Sequence, residues 1–202
     1  MHIAIVTFDG FNELDSLIAL GILNRIKWPG WRVALASPSE MVTSMNGVRL
    51  YRQSSLAELE SCDAVLVGSG IRTREVAQDL AVMQLLARLN PARQLIGAQC
   101  SGTLLLAKAG LLNGVPGCTD LTTKPWVQEA GIEVLEQPFF ARGNLATAGG
   151  CLASIYLAAW MLARLVGLDA AAEALHYVAP VGAKEDYVAR ALVNIEPYLN
   201  CA

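Results

Sequence analysis

The residue best suited to do chemistry is Cys100, set in RQLIGAQCSGTLLLAKAGLL, residues 93 to 112. The run from Leu95 to Ala98 reads as a buried strand, and a second apolar run with helical spacing begins after Ser101 and Gly102. A cysteine at such a corner is held up at the apex of the turn, and glycine nearby lets the backbone fold tightly without a Cβ clash. The turn also aims the first N–H groups of the following helix at the sulphur, which favours a thiolate and any oxyanion formed beside it. This is the layout of a covalent nucleophile. The plain alternative is a small buried hydrophobe, the usual fate of a free cysteine. Cys151, which follows Ala148-Gly149-Gly150 at the start of a long helix, is the one serious competitor. Its neighbours Leu152, Ile155 and Tyr156 point to burial, so access rather than acidity is expected to favour Cys100.

The elements that must position this corner alternate along the chain. HIAIVTF from His2, WRVALAS from Trp31, CDAVLVGSG from Cys62, LIGAQ from Leu95 and NLATAGG from Asn144 read as strands. Helices with apolar residues at 3.6-residue spacing are expected over 14–26, 74–89 and 101–112, the last closed by Asn113-Gly114. IEVLE at 132–136 and PFFARG at 138–143 read as short strands, and Asn46-Gly47 between two extended runs marks a hairpin. Residues 151–163 form an apolar stretch closed by Arg164; a membrane span needs roughly 20 residues, so the stretch is a buried helix. The tail from Asp169 to Tyr198 reads as helices broken at Pro180 and Pro197. Alternation of this kind predicts one α/β domain over residues 1–202, a doubly wound sandwich with a mostly parallel sheet and helices on both faces. Ligands of such sheets bind beyond the carboxyl ends of the strands. Three turns fall at that edge: 9–14, 68–73 and 99–102.

Composition narrows the partners. Of 202 residues, 54% are hydrophobic and 16% charged, and the net charge of −3 with no basic run excludes electrostatic attraction to nucleic acid or an anionic membrane. Five cysteines (Cys62, Cys100, Cys118, Cys151 and Cys201) are odd in number, dispersed and free of a CxxC, and the chain starts directly on a strand with no signal peptide. Those features imply reduced thiols in a cytoplasm. His2 and His176 do not stand at ligand spacing from the cysteines, so no metal and no cofactor are expected. A mean hydropathy of +0.41 with so few charges suggests an apolar patch that a homodimer would cover.

IGAQCSGTLLLAKAGLLNG resembles the nucleophile elbow of the ThiJ/PfpI superfamily, whose fold is shared with class I glutamine amidotransferases. FDGFNELD from Phe8, AVLVGSG from Ala64 and NLATAGGCLASIYLAAWMLARLVG from Asn144 extend the resemblance along nearly the whole chain. The combined pattern is most similar to the branch that holds isocyanide hydratases and the amidase-like domains of certain regulators. The resemblance implies that Cys100 is the superfamily cysteine and that Asp15 is the acidic residue hydrogen-bonded to it, acting as its proton partner. A helix N-cap is the bland reading of Asp15, and Glu13 is the rival carboxylate. Gly70 and the backbone around Ser69 match the turn that supplies an oxyanion donor, with Gly-Ser-Gly departing from the two consecutive glycines usual there. Ser101 supplies the other natural donor through its N–H.

Asp120 is the larger departure, because many relatives carry a His at that position to pair with the cysteine. A carboxylate cannot act as a thiolate-stabilising cation, since like charge raises the thiol's pKa. The site is therefore Cys–Asp without a triad, which argues against amide hydrolysis and its need for an acid at the leaving amine. The expected function is that of a small-molecule hydratase or hydrolase, adding water to an unsaturated substrate through a thioimidate-type adduct on Cys100 while Asp15 shuttles the proton. The alternatives are a redox or metabolite sensor with an oxidisable Cys100 and a glyoxalase- or deglycase-like enzyme.

Overall fold

Every residue from Ile3 to Val6 is buried, as a strand covered on both faces requires. Side chains alternate across the sheet, so Ile3 and Ile5 enter one apolar core while Ala4 and Val6 enter the other. Ala64 and Leu66 are divided from Val65 and Val67 in the same way. The structure, a computed structural model, describes residues 1–199; Cys201, one of the five cysteines, lies outside the described residues.

The strands are β1 (His2–Val6), β2 (Arg32–Ser37), β3 (Met41–Thr43), β4 (Arg49–Tyr51), β5 (Ser54–Ser55), β6 (Ala64–Val67), β7 (Leu95–Gln99), β8 (Phe139–Arg142) and β9 (Leu145–Ala148). Seven of them form one sheet in the order β5-β2-β1-β6-β7-β9-β8, parallel except for β8, which runs antiparallel to β9. β3 and β4 form the separate hairpin expected around Asn46-Gly47. The helices are α1 (Glu13–Leu23), α2 (Thr73–Val76), α3 (Leu80–Leu86), α4 (Gly102–Lys108), α5 (Lys124–Glu129), α6 (Ser154–Val166), α7 (Leu168–Val178) and α8 (Lys184–Ile195). One core packs the sheet against α1, α6, α7 and α8, with Trp160 fully buried in it; α3, α4 and α5 close the other. The fold is the expected doubly wound α/β sandwich.

Several local expectations are corrected. The helix expected over 74–89 is two helices, because the Asp79 side chain accepts from the N–H groups of Ala81 and Val82 and starts a new one. α4 ends at Lys108, where Gly110 at φ 77° closes it, well before Asn113-Gly114. Residues 132–136 make only an isolated bridge, Val134 with Gly117, and no strand. α6 begins after a 3-10 turn over Cys151–Ala153. It is the buried helix expected there, and no helix of the described residues is long and apolar enough to cross a membrane.

Candidate active site

Four parallel strands, β1, β6, β7 and β9, end at one edge, with Val67 opposite Ala98 and Gln99 opposite Ala148. At this edge β7 turns into α4 within two residues, and Cys100 carries the turn at φ 46°. It is the one non-glycine among the described residues with positive φ. For an L-residue such a conformation costs on the order of 1–3 kcal/mol and persists only where the surroundings enforce it. The surroundings here are tight. A Cβ at Gly102 would strike the Val67 and Gly68 carbonyls, so glycine is what lets α4 start directly against β6. The Cys100 backbone is pinned on both sides, its N–H to the Ala148 carbonyl at 2.8 Å and its carbonyl by the Thr119 hydroxyl at 2.8 Å.

Asp15 reaches the same edge from the first turn of α1. It is not the helix N-cap, a role taken by Asn12, whose side chain accepts from the Leu14 N–H. Its carboxylate is fully buried and accepts from the Ser69 hydroxyl at 2.5 Å and from the Ser16 hydroxyl at 3.2 Å. Burial raises the Asp15 carboxyl to about 6, and the hydrogen bonds from Ser69 and Ser16 only partly oppose it. The carboxylate lies within 4.8 Å of the Cys100 sulphur, but the expected hydrogen bond between them is not formed: the carboxylate oxygens accept from Ser69 and Ser16, and the sulphur accepts from Gln99. Glu13, the rival, turns instead toward Asn46 and Ser44.

The sulphur of Cys100 accepts from the Gln99 amide at 3.3 Å and is 3% exposed. Burial and then the Asp15 carboxylate push its thiol far above the ordinary cysteine value, with Gln99 opposing and Cys151 and Asp120 adding to the rise. The direction runs against the thiolate expected at this corner, because desolvation and nearby negative charge oppose the start of a short helix.

The candidate oxyanion turn is also partly reassigned. The Ser69 hydroxyl is committed to Asp15 and does not line the cavity as a free group. Gly70 is glycine because the turn lies against the Gly10 carbonyl and the Phe11 backbone, where a Cβ would collide. Its N–H donates to the Ser101 Oγ at 3.1 Å, and that hydroxyl shares a 2.7 Å hydrogen bond with Thr73. Gly70 is thus occupied rather than waiting for an oxyanion. The Ser101 N–H has no acceptor among the described residues and remains the open donor. Asp120 accepts from the Thr123 N–H at 2.9 Å and faces the cavity in the place where a His was sought.

Asn12 and Gln99 belong to the site although the sequence reading assigned them no role in it, and Cys151, weighed there only as a rival to Cys100, lies beside it. Gln99 spans Cys100 and the Gly150 carbonyl, the latter at 2.8 Å. Asn12 donates to the Cys151 sulphur at 3.1 Å. Cys151 is half-buried, against the expected burial, and is nearer solvent than Cys100. Asn12, Cys100 and Cys151, with Ser69, Asp120 and Trp126, bound a cavity of about 390 Å³, the size of a small-molecule site. Asp15, Cys100 and Cys151 bring three possible donor atoms within 4.8 Å of one another. Both carboxylate oxygens and both sulphurs already accept hydrogen bonds, which favours a thiol–carboxylate site over a metal centre. The two histidines with ligand potential lie elsewhere, His2 at the start of β1 and His176 on the surface beside Glu185.

Residues 1–164 match the model of the DJ-1/PfpI family. The chain is 26% identical over 130 residues to an isonitrile hydratase of Pseudomonas putida, covering 64% of this chain and 57% of that protein. It is 24% identical over 147 residues to a deglycase of Thermococcus kodakarensis, covering 71% and 87%. Among solved structures, Schizosaccharomyces pombe DJ-1 superposes with a TM-score of 0.77 at 18% identity, covering 89% of this chain and all of that one.

Proposed function

The chain belongs to the DJ-1/PfpI family, and on that premise we propose that it is a cysteine-dependent hydratase of small unsaturated molecules, with isonitriles as the leading substrate class. One observation carries the reading. The Asp15 carboxyl, buried and pushed up to about 6 by desolvation, stands within 4.8 Å of the Cys100 sulphur. A group with that affinity for protons can take one and return it near neutral pH, as general acid–base catalysis requires. The reaction then runs in two stages. Asp15 accepts the thiol proton as the sulphur bonds to the isonitrile carbon, and returns it to that carbon, giving a thioimidate. Water then adds to the same carbon with one proton passing through Asp15 to the nitrogen. The carbon–sulphur bond breaks with reprotonation of the sulphur, releasing an N-substituted formamide. Atoms balance as isonitrile plus water, and no leaving amine has to be protonated. Similarity to the isonitrile hydratase supports this choice. Similarity to the deglycase, together with the raised Asp15, keeps attack on an α-oxoaldehyde as the second reading.

Screening isocyanides, nitriles, α-oxoaldehydes and amides against the wild type and Cys100→Ala tests this. Formamide release from an isocyanide that vanishes in Cys100→Ala is the expected result. Turnover confined to α-oxoaldehydes would replace it with the second reading. A homodimer forms part of the proposal: Leu14, Ile71, Leu121 and Leu152, all more than half exposed, ring the same sheet edge. Light scattering at micromolar concentration reads the mass, and a monomer near 22 kDa would remove it.

A further inference from the structure

The proton chemistry above leaves Cys151 unused, yet its sulphur lies within 4.8 Å of the Cys100 sulphur and it is the more exposed of the two. We propose that Cys100 and Cys151 form an oxidisable pair in which Cys151 is oxidised by a hydroperoxide and Cys100 closes a reversible disulfide across the cavity. Three features support the pair. The separation exceeds the bond length of about 2.05 Å by less than about 3 Å. Cys151 follows Gly150, at φ 90° with open space around it, and sits in a 3-10 turn rather than in α6. Gly149, by contrast, is wedged against the Thr119 backbone, so movement can start at Gly150 without shifting β9. The polar groups are also in place: Asn12 donates to the Cys151 sulphur, and Gln99 joins the Cys100 sulphur to the backbone immediately before Cys151.

The chemistry balances with hydrogen peroxide as the oxidant. The Cys151 sulphur attacks one peroxide oxygen, the O–O bond breaks, and water leaves with the thiol proton, giving the sulfenic acid. The Cys100 sulphur then attacks the Cys151 sulphur. The S–O bond breaks and the hydroxide leaves as water with the Cys100 proton, which Asp15 can carry. Two thiols lose two electrons and one peroxide gains them. The disulfide occupies the nucleophile, so the oxidised protein would lack a free Cys100. A dithiol reductant restores both thiols.

This inference stands on the sulphur geometry and is read by mass, so a failed isonitrile screen leaves it intact and a failed cross-link leaves the hydratase reading intact. The full chain is treated with equimolar hydrogen peroxide, capped with N-ethylmaleimide and digested without reductant. The expected product is a Cys100–Cys151 linked peptide with the loss of two free thiols, reversed by dithiothreitol. Cys62 and Cys118, buried and raised to about 11 and about 12, stay capped. Cys100→Ala is expected to trap dimedone on Cys151, and Cys151→Ala to slow oxidation of Cys100 tenfold or more. Absence of the linked peptide, linkage only through Cys62, Cys118 or Cys201, or Cys100 in Cys151→Ala oxidised as fast as the wild-type pair would each overturn the proposal.

Discussion

Two strand-to-helix corners at one sheet edge each present a cysteine, yet they build opposite environments. At the β7–α4 corner the chain turns on Cys100 itself, the strain falls on the reactive residue, and the thiol is buried beside Asp15. At the β9–α6 corner the turn is made by Gly149 and Gly150, Cys151 lies in a relaxed 3-10 turn, and the residue is only half-buried. A cysteine ahead of a helix therefore does not specify a reactive thiol by itself. The carboxylate, amide and solvent around each sulphur decide what it does, because burial and charge outweigh the local backbone field.

Removing each thiol sharpens this contrast most. Cys100→Ala is expected to lower isonitrile turnover by about a thousandfold or more, as loss of a covalent nucleophile does. Steady-state kinetics on purified variants checks it, and a larger loss in Cys151→Ala would reverse the roles of the two corners. Asp15→Asn should cut kcat by about a hundredfold while stabilising the fold by on the order of 2–3 kcal/mol at pH 7.5. The sign follows from a carboxyl raised to about 6 in the fold: its favourable contribution is complete below the unfolded value near 3.8 and is lost as pH rises through 6. The stability advantage of Asp15→Asn in urea melts should accordingly shrink to nothing near pH 4. An advantage that persisted there would mean that Asp15 is not the buried charge.

Alkylation tests accessibility directly. Limiting iodoacetamide at neutral pH is expected to reach Cys151 before Cys100, and peptide mapping that found Cys100 modified first would contradict their relative exposure. The smallest effect concerns the short hydrogen bond at Asp15. Ser69→Ala removes a donor that favours the carboxylate, so the acid limb of the kcat/KM profile, rising near pH 6 in the wild type, should move upward by about one unit. A profile that stayed in place would separate that limb from Asp15.

The hairpin at Asn46-Gly47 and the alternation of strands and helices were legible in the chain because turn chemistry and periodicity act locally. The split at Asp79 was less so: a helical apolar period runs across it, and an internal aspartate becomes a cap only when the backbone turns there. The isolated bridge at Val134 shows the same limit for strands, since a β-like run without a neighbour to pair with stays a loop. Among the site residues, Cys100 stood out by its setting between strand and helix, and Asp15 through the resemblance of FDGFNELD to the family's motif after the first strand. Gln99 and Asn12 carried no signal beyond lying beside a turn.

What the sequence determined by itself is therefore the architecture and the strained corner. Period-two burial, glycine at the close approach and the apolar strands are properties of neighbouring residues. Only the tertiary structure decided the burial of the site and the company of Cys100. Asp15, Gln99, Ser69 and Cys151 arrive from four separate segments, and the energy of a buried charge depends on solvent exclusion and on distances that no local pattern encodes.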